Sequence, residues 1–123
     1  MISGVVNENL ESIAHLQLRG PSGQTQETEA IIDTGFNGYL TVSSALAARL
    51  GLLRIGRSRV RLASGREEVL DLYEIEVLWD GQWQTVESDA ADTEPLVGMS
   101  LAYGYRICVE TIENGRVVIE HLP

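Results

Sequence analysis

Apolar and polar residues alternate over short segments of the chain, and turn-forming residues separate each segment from the next. Alternation with a period of two is typical of β-strands that bury one face. The pattern predicts strands over residues 12–18, 27–33 and 39–42. The segment "RGPSGQ" predicts a turn between the first two strands, because Gly, Pro and Ser favour turn conformations.

The segment "SSALAARLGL" differs from its surroundings and predicts the one convincing helix of the chain. Ser43 or Ser44 is placed to cap its first turn through a side-chain oxygen. Leu46 and Leu50 are four residues apart and therefore fall on one helix face. Gly51 is placed to end the helix.

The dipeptide Ser64-Gly65 predicts the tip of a hairpin between two strand-like segments. These segments are residues 57–63 and 67–77. A two-residue turn at the tip would place Arg61 opposite Glu68, and opposite charges in that arrangement favour the register.

Two further dipeptides, the Asp-Gly of "WDGQW" and the Asn-Gly of "ENGR", are typical of tight hairpins. Trp79 and Trp83 flank the first dipeptide, and we expect a hydrophobic contact between them across the hairpin. The chain should therefore contain roughly eight or more strands and one or two short helices. This pattern predicts a mainly β fold, a closed or folded barrel, and the 123 residues should form a single domain over 1–123.

The charge of the chain narrows the possible partners. The net charge is −9, and all nine basic residues are arginine. Such a chain is repelled by phosphate backbones, so no nucleic-acid partner is expected. Arg57, Arg59 and Arg61 share one strand face, and a solvated face pairing with Glu68 and Asp71 is favoured over a site for an acidic peptide or nucleic acid.

The sequence gives no indication of export, of a membrane anchor or of a metal site. The start "MISGVVNENLES" lacks a basic region and a long apolar core, and no apolar run approaches the roughly 18 residues that span a bilayer. The single cysteine, Cys108, is expected to be a buried strand residue in a reducing compartment. His15 and His121 are far apart in sequence and do not suggest a metal site. We therefore expect a cytoplasmic protein that uses no cofactor and no metal.

The segment "EAIIDTGFNGYLTV" places an acidic residue, Asp33, directly after an apolar strand. Asp-Thr-Gly can be an ordinary turn, since Asp caps turns and Gly tolerates positive φ angles. The apolar residues before Asp33 place its carboxylate at the mouth of a core strand, where burial is expected. The strand that follows holds the acid on a tight loop, and this context favours a functional carboxylate.

Asp33-Thr34-Gly35 after apolar residues resembles the active-site signature of aspartic proteases. The whole chain resembles the small, single-domain, retropepsin-like (clan AA) aspartic proteases of prokaryotes. This resemblance implies a retropepsin-like β-barrel and an aspartic endopeptidase.

A second motif supports the resemblance. Leu96, Val97 and Gly98 are similar to the apolar-apolar-Gly element that runs behind the active-site loop in these folds, where it gives structural support. The short turn expected over residues 99–103 corresponds to the helix that follows that element in the family. Two motifs in this order are more specific than one tripeptide.

The resemblance implies a catalytic pair of aspartates, whereas this chain contains a single Asp-Thr-Gly. It therefore implies a homodimer with Asp33 of each copy at the two-fold axis. The pair would activate water to hydrolyse an extended peptide or protein substrate. The terminal segments "MISGVV" and "VIEHLP" are expected to supply strands to the dimer, by analogy with the viral enzymes.

The resemblance also implies roles for the remaining site residues. Thr34 is expected to hydrogen-bond across the dimer, and Gly35 leaves room beside the catalytic water. The hairpin tipped by Ser64-Gly65 takes the position of the flap that closes over a peptide. The expected substrate-binding residues of the flap and groove are Phe36, Asn37, Ala63, Ser64 and Gly65. Phe36 stands where the best-known viral members commonly carry alanine, which narrows the expected groove.

Two other interpretations stay open. The same fold could be a dimerisation or peptide-binding module whose proteolysis is vestigial, or a generic β-barrel with a coincidental Asp-Thr-Gly. Asp, Thr and Gly together favour the enzyme, because a buried pair of like charges costs stability unless it shares a proton or does chemistry.

Overall fold

The computed structural model describes residues 1–61 and 64–123, and this part of the chain forms ten strands and one short helix. The elements in chain order are β1 (Ile2–Val6), β2 (Ser12–Arg19), β3 (Thr25–Ile32), β4 (Leu40–Val42), α1 (Ser44–Arg49), β5 (Leu53–Arg61), β6 (Glu67–Trp79), β7 (Gln82–Ala90), β8 (Leu96–Val97), β9 (Tyr105–Val109) and β10 (Arg116–His121). Ala63, an expected flap residue, lies outside the described residues.

All ten strands belong to one sheet, in the order β5-β6-β7-β4-β8-β3-β2-β1-β10-β9. An additional antiparallel pairing joins β2 to β6 at Leu18↔Val77 and Arg19↔Glu76. This pairing closes six of the strands into a barrel. The predicted mainly β, closed-barrel architecture with one short helix is therefore confirmed.

The core lies inside the barrel and follows from the alternation seen in the sequence. In β2, the burial pattern places Ala14, Leu16 and Leu18 inward, while His15 and Gln17 face solvent. Period-two alternation produces this division because successive strand side chains point to opposite faces. The largest fully buried side chains are Trp79, Leu18, Leu40, Leu50, Ile75, Ile119, Val6, Val42, Val77, Val97 and Val117.

Helix α1 forms where the sequence predicted it and closes one side of the core. The Ser43 side chain caps the helix by accepting a hydrogen bond from the Leu46 backbone N–H at 3.1 Å. Leu46 and Leu50 are both buried, and Gly51 follows with a φ of +60°. The cap, the apolar face and the terminating glycine are all local signals, which explains why they could be read from the sequence.

The β5–β6 hairpin forms, but its register differs by one residue from the prediction. Arg61 lies opposite Glu67, and Val60 lies opposite Glu68. The expected pairing of Arg61 with Glu68 is therefore wrong. The physical reason is the loop, which has an odd number of residues and contains Gly65 at a φ of +83° instead of being a two-residue turn.

The arginine face of this hairpin is solvated, as expected, but the ion pairs involve different acids. Arg59 and Arg61 both approach Glu67, at 3.7 and 3.8 Å. Asp71 forms its ion pair with Arg54 at 3.0 Å. All these side chains are largely exposed, so the pairs add little stability.

The β6–β7 hairpin turns at Asp80 and Gly81, which have φ angles of +51° and +81°. Its register places Trp79 opposite Gln82, and therefore Trp79 and Trp83 on opposite faces. The expected contact between the two tryptophans is wrong. Trp79 is buried against Tyr105, whereas the Trp83 ring lies under the Arg19 guanidinium, 4.0 Å from its ring centroid.

The two terminal strands pair with each other inside one chain. β1 pairs with β10 in the register Ile2↔Ile119, and β9 pairs with the other side of β10. β9 is therefore an edge of the sheet, and Cys108 on it is exposed. The expectation of a buried cysteine is wrong, because strand alternation puts Ile107 on the face towards the core and Cys108 on the opposite face.

Within residues 1–61 and 64–123, no helix is long and apolar enough to cross a membrane.

Candidate active site

Asp33 follows the last residue of β3 and begins a tight loop. Its backbone N–H donates to the Val97 carbonyl at 2.9 Å, and its own carbonyl accepts from the Phe36 N–H at 3.1 Å. One carboxylate oxygen, Oδ1, accepts a 2.9 Å hydrogen bond from the Gly35 N–H. This turn fixes the direction of the Asp33 carboxylate. Asp33 is half-buried, and therefore more exposed than the sequence predicted, because β3 ends at Ile32, one residue before it.

Strand β8 holds this loop from behind. It pairs in parallel with β3 at Ile32↔Val97 and antiparallel with β4 at Leu40↔Val97. The Gly98 N–H then donates to the Tyr39 carbonyl at 2.9 Å. Leu96, Val97 and Gly98 therefore lie directly behind the loop that carries Asp33.

The backbone of Gly98 lies so close to the Asp33 loop that no side chain fits at position 98. A Cβ atom at Gly98 would lie 2.0 Å from the Gly38 carbonyl oxygen and 2.7 Å from the Phe36 ring. A Cβ at Gly38 would lie 2.6 Å from the same ring. The Phe36 side chain therefore packs on the two glycines, which form a recess for it.

The segment after β8 braces the loop from the other side. Met99 N–H donates to the Phe36 carbonyl at 2.8 Å, and Ser100 N–H donates to the Gly38 carbonyl at 3.1 Å. The Ser100 hydroxyl donates to the Asn37 carbonyl oxygen. Residues 99–103 form turns, at the place where the family has a helix.

A cleft of about 680 Å³ lies between the Asp33 loop and the β5–β6 hairpin. Its lining residues are Asp33, Gly35, Phe36, Thr41, Ser44, Val60, Arg61, Glu68, Leu70, Asp89, Ala90, Ala91, Asp92, Thr93 and Leu96. The hairpin and the acid thus border the same space.

The expected groove and flap residues are only partly brought together. Phe36 lines the cleft, whereas Asn37 is exposed and is not among the described residues that line it. Ser64 and Gly65 are exposed at the hairpin tip and also lie outside the lining. The hairpin residues that border the cleft, Val60, Arg61, Glu68 and Leu70, lie further down its two strands.

Thr34 is exposed on the open side of the loop. Within the part of the chain that the structure describes, its hydroxyl takes part in no hydrogen bond. Thr34 and Gly35 thus present a polar surface beside Asp33.

Sequence reasoning missed Asp89, which lines the same cleft. It is only 9% exposed, and its Oδ1 accepts a 2.6 Å hydrogen bond from the Ser58 hydroxyl on β5. It enters the cleft wall because β7 pairs with β4 in parallel, at Thr41↔Asp89. Parallel pairing between distant segments leaves no local signal, and the polar "ESDAADTE" gave no reason to expect a buried acid.

The clear pKa shifts lie away from the cleft and belong to surface pairs. The Arg19 guanidinium, mainly through its hydrogen bonds, lowers the pKa of Glu76 below its ordinary value. Arg116 lowers the pKa of Glu110 in the same way. Among the described residues, no group of three or more His, Cys, Asp or Glu is arranged to hold a metal ion.

Comparison with known proteins defines the fold. No family model and no curated protein matches the sequence. A retropepsin-like aspartic protease from Rickettsia conorii superposes on 98% of this chain and 89% of its own length, with a TM-score of 0.59 at 15% identity. The simian foamy virus (mac) protease covers 70% of this chain and 88% of its own, with a TM-score of 0.49 at 18% identity. The chain therefore has a retropepsin-like protease fold.

Proposed function

We propose that this chain is an aspartic endopeptidase that is active as a homodimer. The observation that carries the proposal is the position of Asp33, held by its own turn on the floor of a cleft that the β5–β6 hairpin borders. The retropepsin-like fold supports it, because the superposed Rickettsia protein is an aspartic protease of that fold.

The chemistry requires two carboxylates, and one chain supplies a single Asp-Thr-Gly. Two carboxylates about 3 Å apart repel by about 5 kcal/mol at an effective dielectric near 20, which corresponds to about four pKa units. The pair therefore shares one proton over a wide range of pH, and its two pKa values belong to the pair.

The shared proton gives the two copies of Asp33 different roles. The ionised carboxylate takes a proton from a bound water, whose oxygen attacks the scissile carbonyl carbon. The protonated carboxyl group gives its proton to the carbonyl oxygen, which forms a neutral diol. When the diol collapses, the C–N bond breaks and the nitrogen receives a proton, which leaves an acid and an amine.

The exposed side of the Asp33 loop supports a symmetric partner. Thr34 and Gly35 are exposed beside a half-buried Asp33, so a second copy of the loop can approach along a two-fold axis. The Thr34 hydroxyl then finds a backbone partner in the other subunit, and the two carboxylates meet.

The unpaired edge of β9 gives a second reason to expect a dimer. β1 and β10 are already paired within the chain, which leaves β9 as the free edge at that end of the sheet. Arg106 and Cys108 lie on one face of this edge strand and are both exposed. Antiparallel pairing of two β9 strands centred on Cys108 would place the two copies of Cys108 opposite each other.

Cleavage of a diverse peptide library between pH 4 and 7 tests the proposal, with the oligomeric state measured by sedimentation in the same buffers. We expect cleavage by a dimer, inhibition by a statine-type compound and no cleavage by Asp33→Asn. A dimer that cleaves nothing would instead indicate a peptide-binding or dimerisation module. A chain that stays monomeric at high concentration would contradict both the homodimeric peptidase and the dimerisation module.

A further inference from the structure

Asp89 is a buried carboxylate that the proposed hydrolysis does not use. It lies near the end of β7, between Thr41 of β4 and Leu72 of β6, and it lines the same cleft as Asp33. Only 9% of it is exposed, although cleft-lining acids on a protein surface are usually well solvated.

This carboxylate has a hydrogen bond but no positive charge beside it. Its Oδ1 accepts from the Ser58 hydroxyl at 2.6 Å. In the described ranges 1–61 and 64–123, no arginine, histidine or terminal amine lies within ion-pairing distance of it. A buried charge with a single neutral donor is costly unless a cation reaches it.

The rest of the cleft has the same sign. Glu68 and Asp92 also line it, and Arg61 is the one basic residue in the described lining. The Arg61 guanidinium is directed to Glu67, 3.8 Å away, which partly neutralises it. An excess of carboxylates in a concave site attracts positively charged ligands.

We propose that the cleft selects peptides that carry an arginine or lysine side chain next to the scissile bond, and that Asp89 is the residue that recognises it. The inference rests on the proposed function, since it names the substrate class of the same site. The Ser58 hydroxyl holds Oδ1, and the other oxygen of Asp89 accepts from the basic side chain. Arginine is the better partner, because its planar guanidinium binds carboxylates with two donors.

A matched peptide series tests this specificity. The peptides share one sequence and differ at one position, which is arginine, lysine, citrulline or glutamate in turn. Citrulline keeps the shape of arginine without its charge. We expect kcat/KM for the arginine peptide to exceed that for the citrulline peptide by at least about tenfold, and the glutamate peptide to be the poorest substrate.

Asp89→Asn removes the charge and keeps an oxygen that can accept from Ser58. In this variant the arginine-to-citrulline ratio should fall towards one. Asp71→Asn is the matched control, because Asp71 is an exposed acid of the same barrel that pairs with Arg54 outside the cleft lining. It should keep the wild-type ratio. Thermal unfolding shows whether each variant is folded. If Asp89→Asn does not fold, the peptide series with wild type alone tests the preference for arginine.

Binding of the same peptides to Asp33→Asn, followed by fluorescence anisotropy, separates this inference from the proposed catalysis. If wild type cleaves no peptide while the arginine peptide still binds most tightly, the proposed hydrolysis is wrong and the recognition by Asp89 stands. Cleavage without a preference for arginine overturns the inference, as does a preference that survives in Asp89→Asn. Failure of every peptide both to bind and to be cleaved overturns it as well.

Discussion

The backbone of Gly98 passes so close to Gly38 that a Cβ atom at position 98 would lie 2.0 Å from the Gly38 carbonyl oxygen. This contact joins the strand behind the site to the loop that carries Asp33. The loop cannot move away easily, because the Gly98, Met99 and Ser100 N–H groups all donate to it.

We therefore expect Gly98→Ala to lower the free energy of unfolding by about 3 kcal/mol or more, since backbone atoms must shift to accept the methyl group. Urea titration followed by tryptophan fluorescence measures the change. Gly56→Ala is the matched control, because no atom lies within 4 Å of a Cβ built at Gly56. It should change stability by about 0.5 kcal/mol or less. Equal effects at the two positions would contradict the close approach.

Asp33→Asn should abolish peptide cleavage and leave the fold intact. Asparagine keeps an oxygen that can accept from the Gly35 N–H, so the turn is retained while the acid–base function is lost. We expect kcat/KM to fall by at least about 100-fold, measured with the peptide that wild type cleaves best. Asp71→Asn, at the exposed pair with Arg54, serves as the control and should stay within about twofold of wild type. Undiminished cleavage by Asp33→Asn would place the chemistry elsewhere.

The Arg19–Glu76 pair predicts part of the acid sensitivity of the fold. Arg19 Nε and Nη2 donate to the two Glu76 oxygens at 3.1 and 2.7 Å, and the pKa of Glu76 is lowered by these hydrogen bonds. A lowered carboxyl pKa contributes stability above the unfolded-state value, about 4.3, that is lost as the pH falls through the folded value. The melting temperature of wild type should therefore drop more between pH 6 and pH 3 than that of Glu76→Gln.

A double-mutant comparison isolates this effect. Arg19→Gln removes the cause of the pKa shift and should flatten the same part of the pH profile. The double variant should behave like either single variant, because the pair acts as a unit. If the two single changes add instead, the acid sensitivity comes from other carboxylates.

The exposed edge strand β9 predicts a covalent link between two copies. Cys108 is the single cysteine of the chain, and it would face its counterpart if two β9 strands pair about a two-fold axis. Mild oxidation should then convert most of the protein to a disulfide-linked dimer, seen on a non-reducing gel. Thr25→Cys in a Cys108→Ser background provides a control cysteine at an exposed position on β3. Equal cross-linking from both positions would indicate random collision instead of paired edges.

The features that the sequence predicted correctly are those decided by neighbouring residues. The Ser43 cap, the apolar face of α1 and the Asp80-Gly81 turn each depend on a few consecutive positions. The alternation of β2 likewise predicts its inward face. Local propensity and side-chain periodicity account for these predictions.

The features that the sequence did not predict depend on contacts between segments that are distant along the chain. The one-residue difference at Arg61 arises in the loop of the β5–β6 hairpin, and the exposure of Cys108 follows from which face of β9 packs on β10 and the core. Asp89 enters the cleft through the parallel β4–β7 pairing, which no spacing in the sequence indicates. The Asp33 motif was visible because Asp, Thr and Gly are adjacent.

Strand β6 is shared between the β5–β6 hairpin at Glu67 and the barrel at Trp79. Its barrel end includes the short pairing with β2 at Leu18↔Val77 that closes the barrel, and a bulge interrupts the β5–β6 register between Arg54 and Gly56. The wall of the cleft and the seam of the barrel therefore lie at two ends of one continuous strand. Loosening the barrel at its β2–β6 seam therefore also disturbs the strand that borders the cleft.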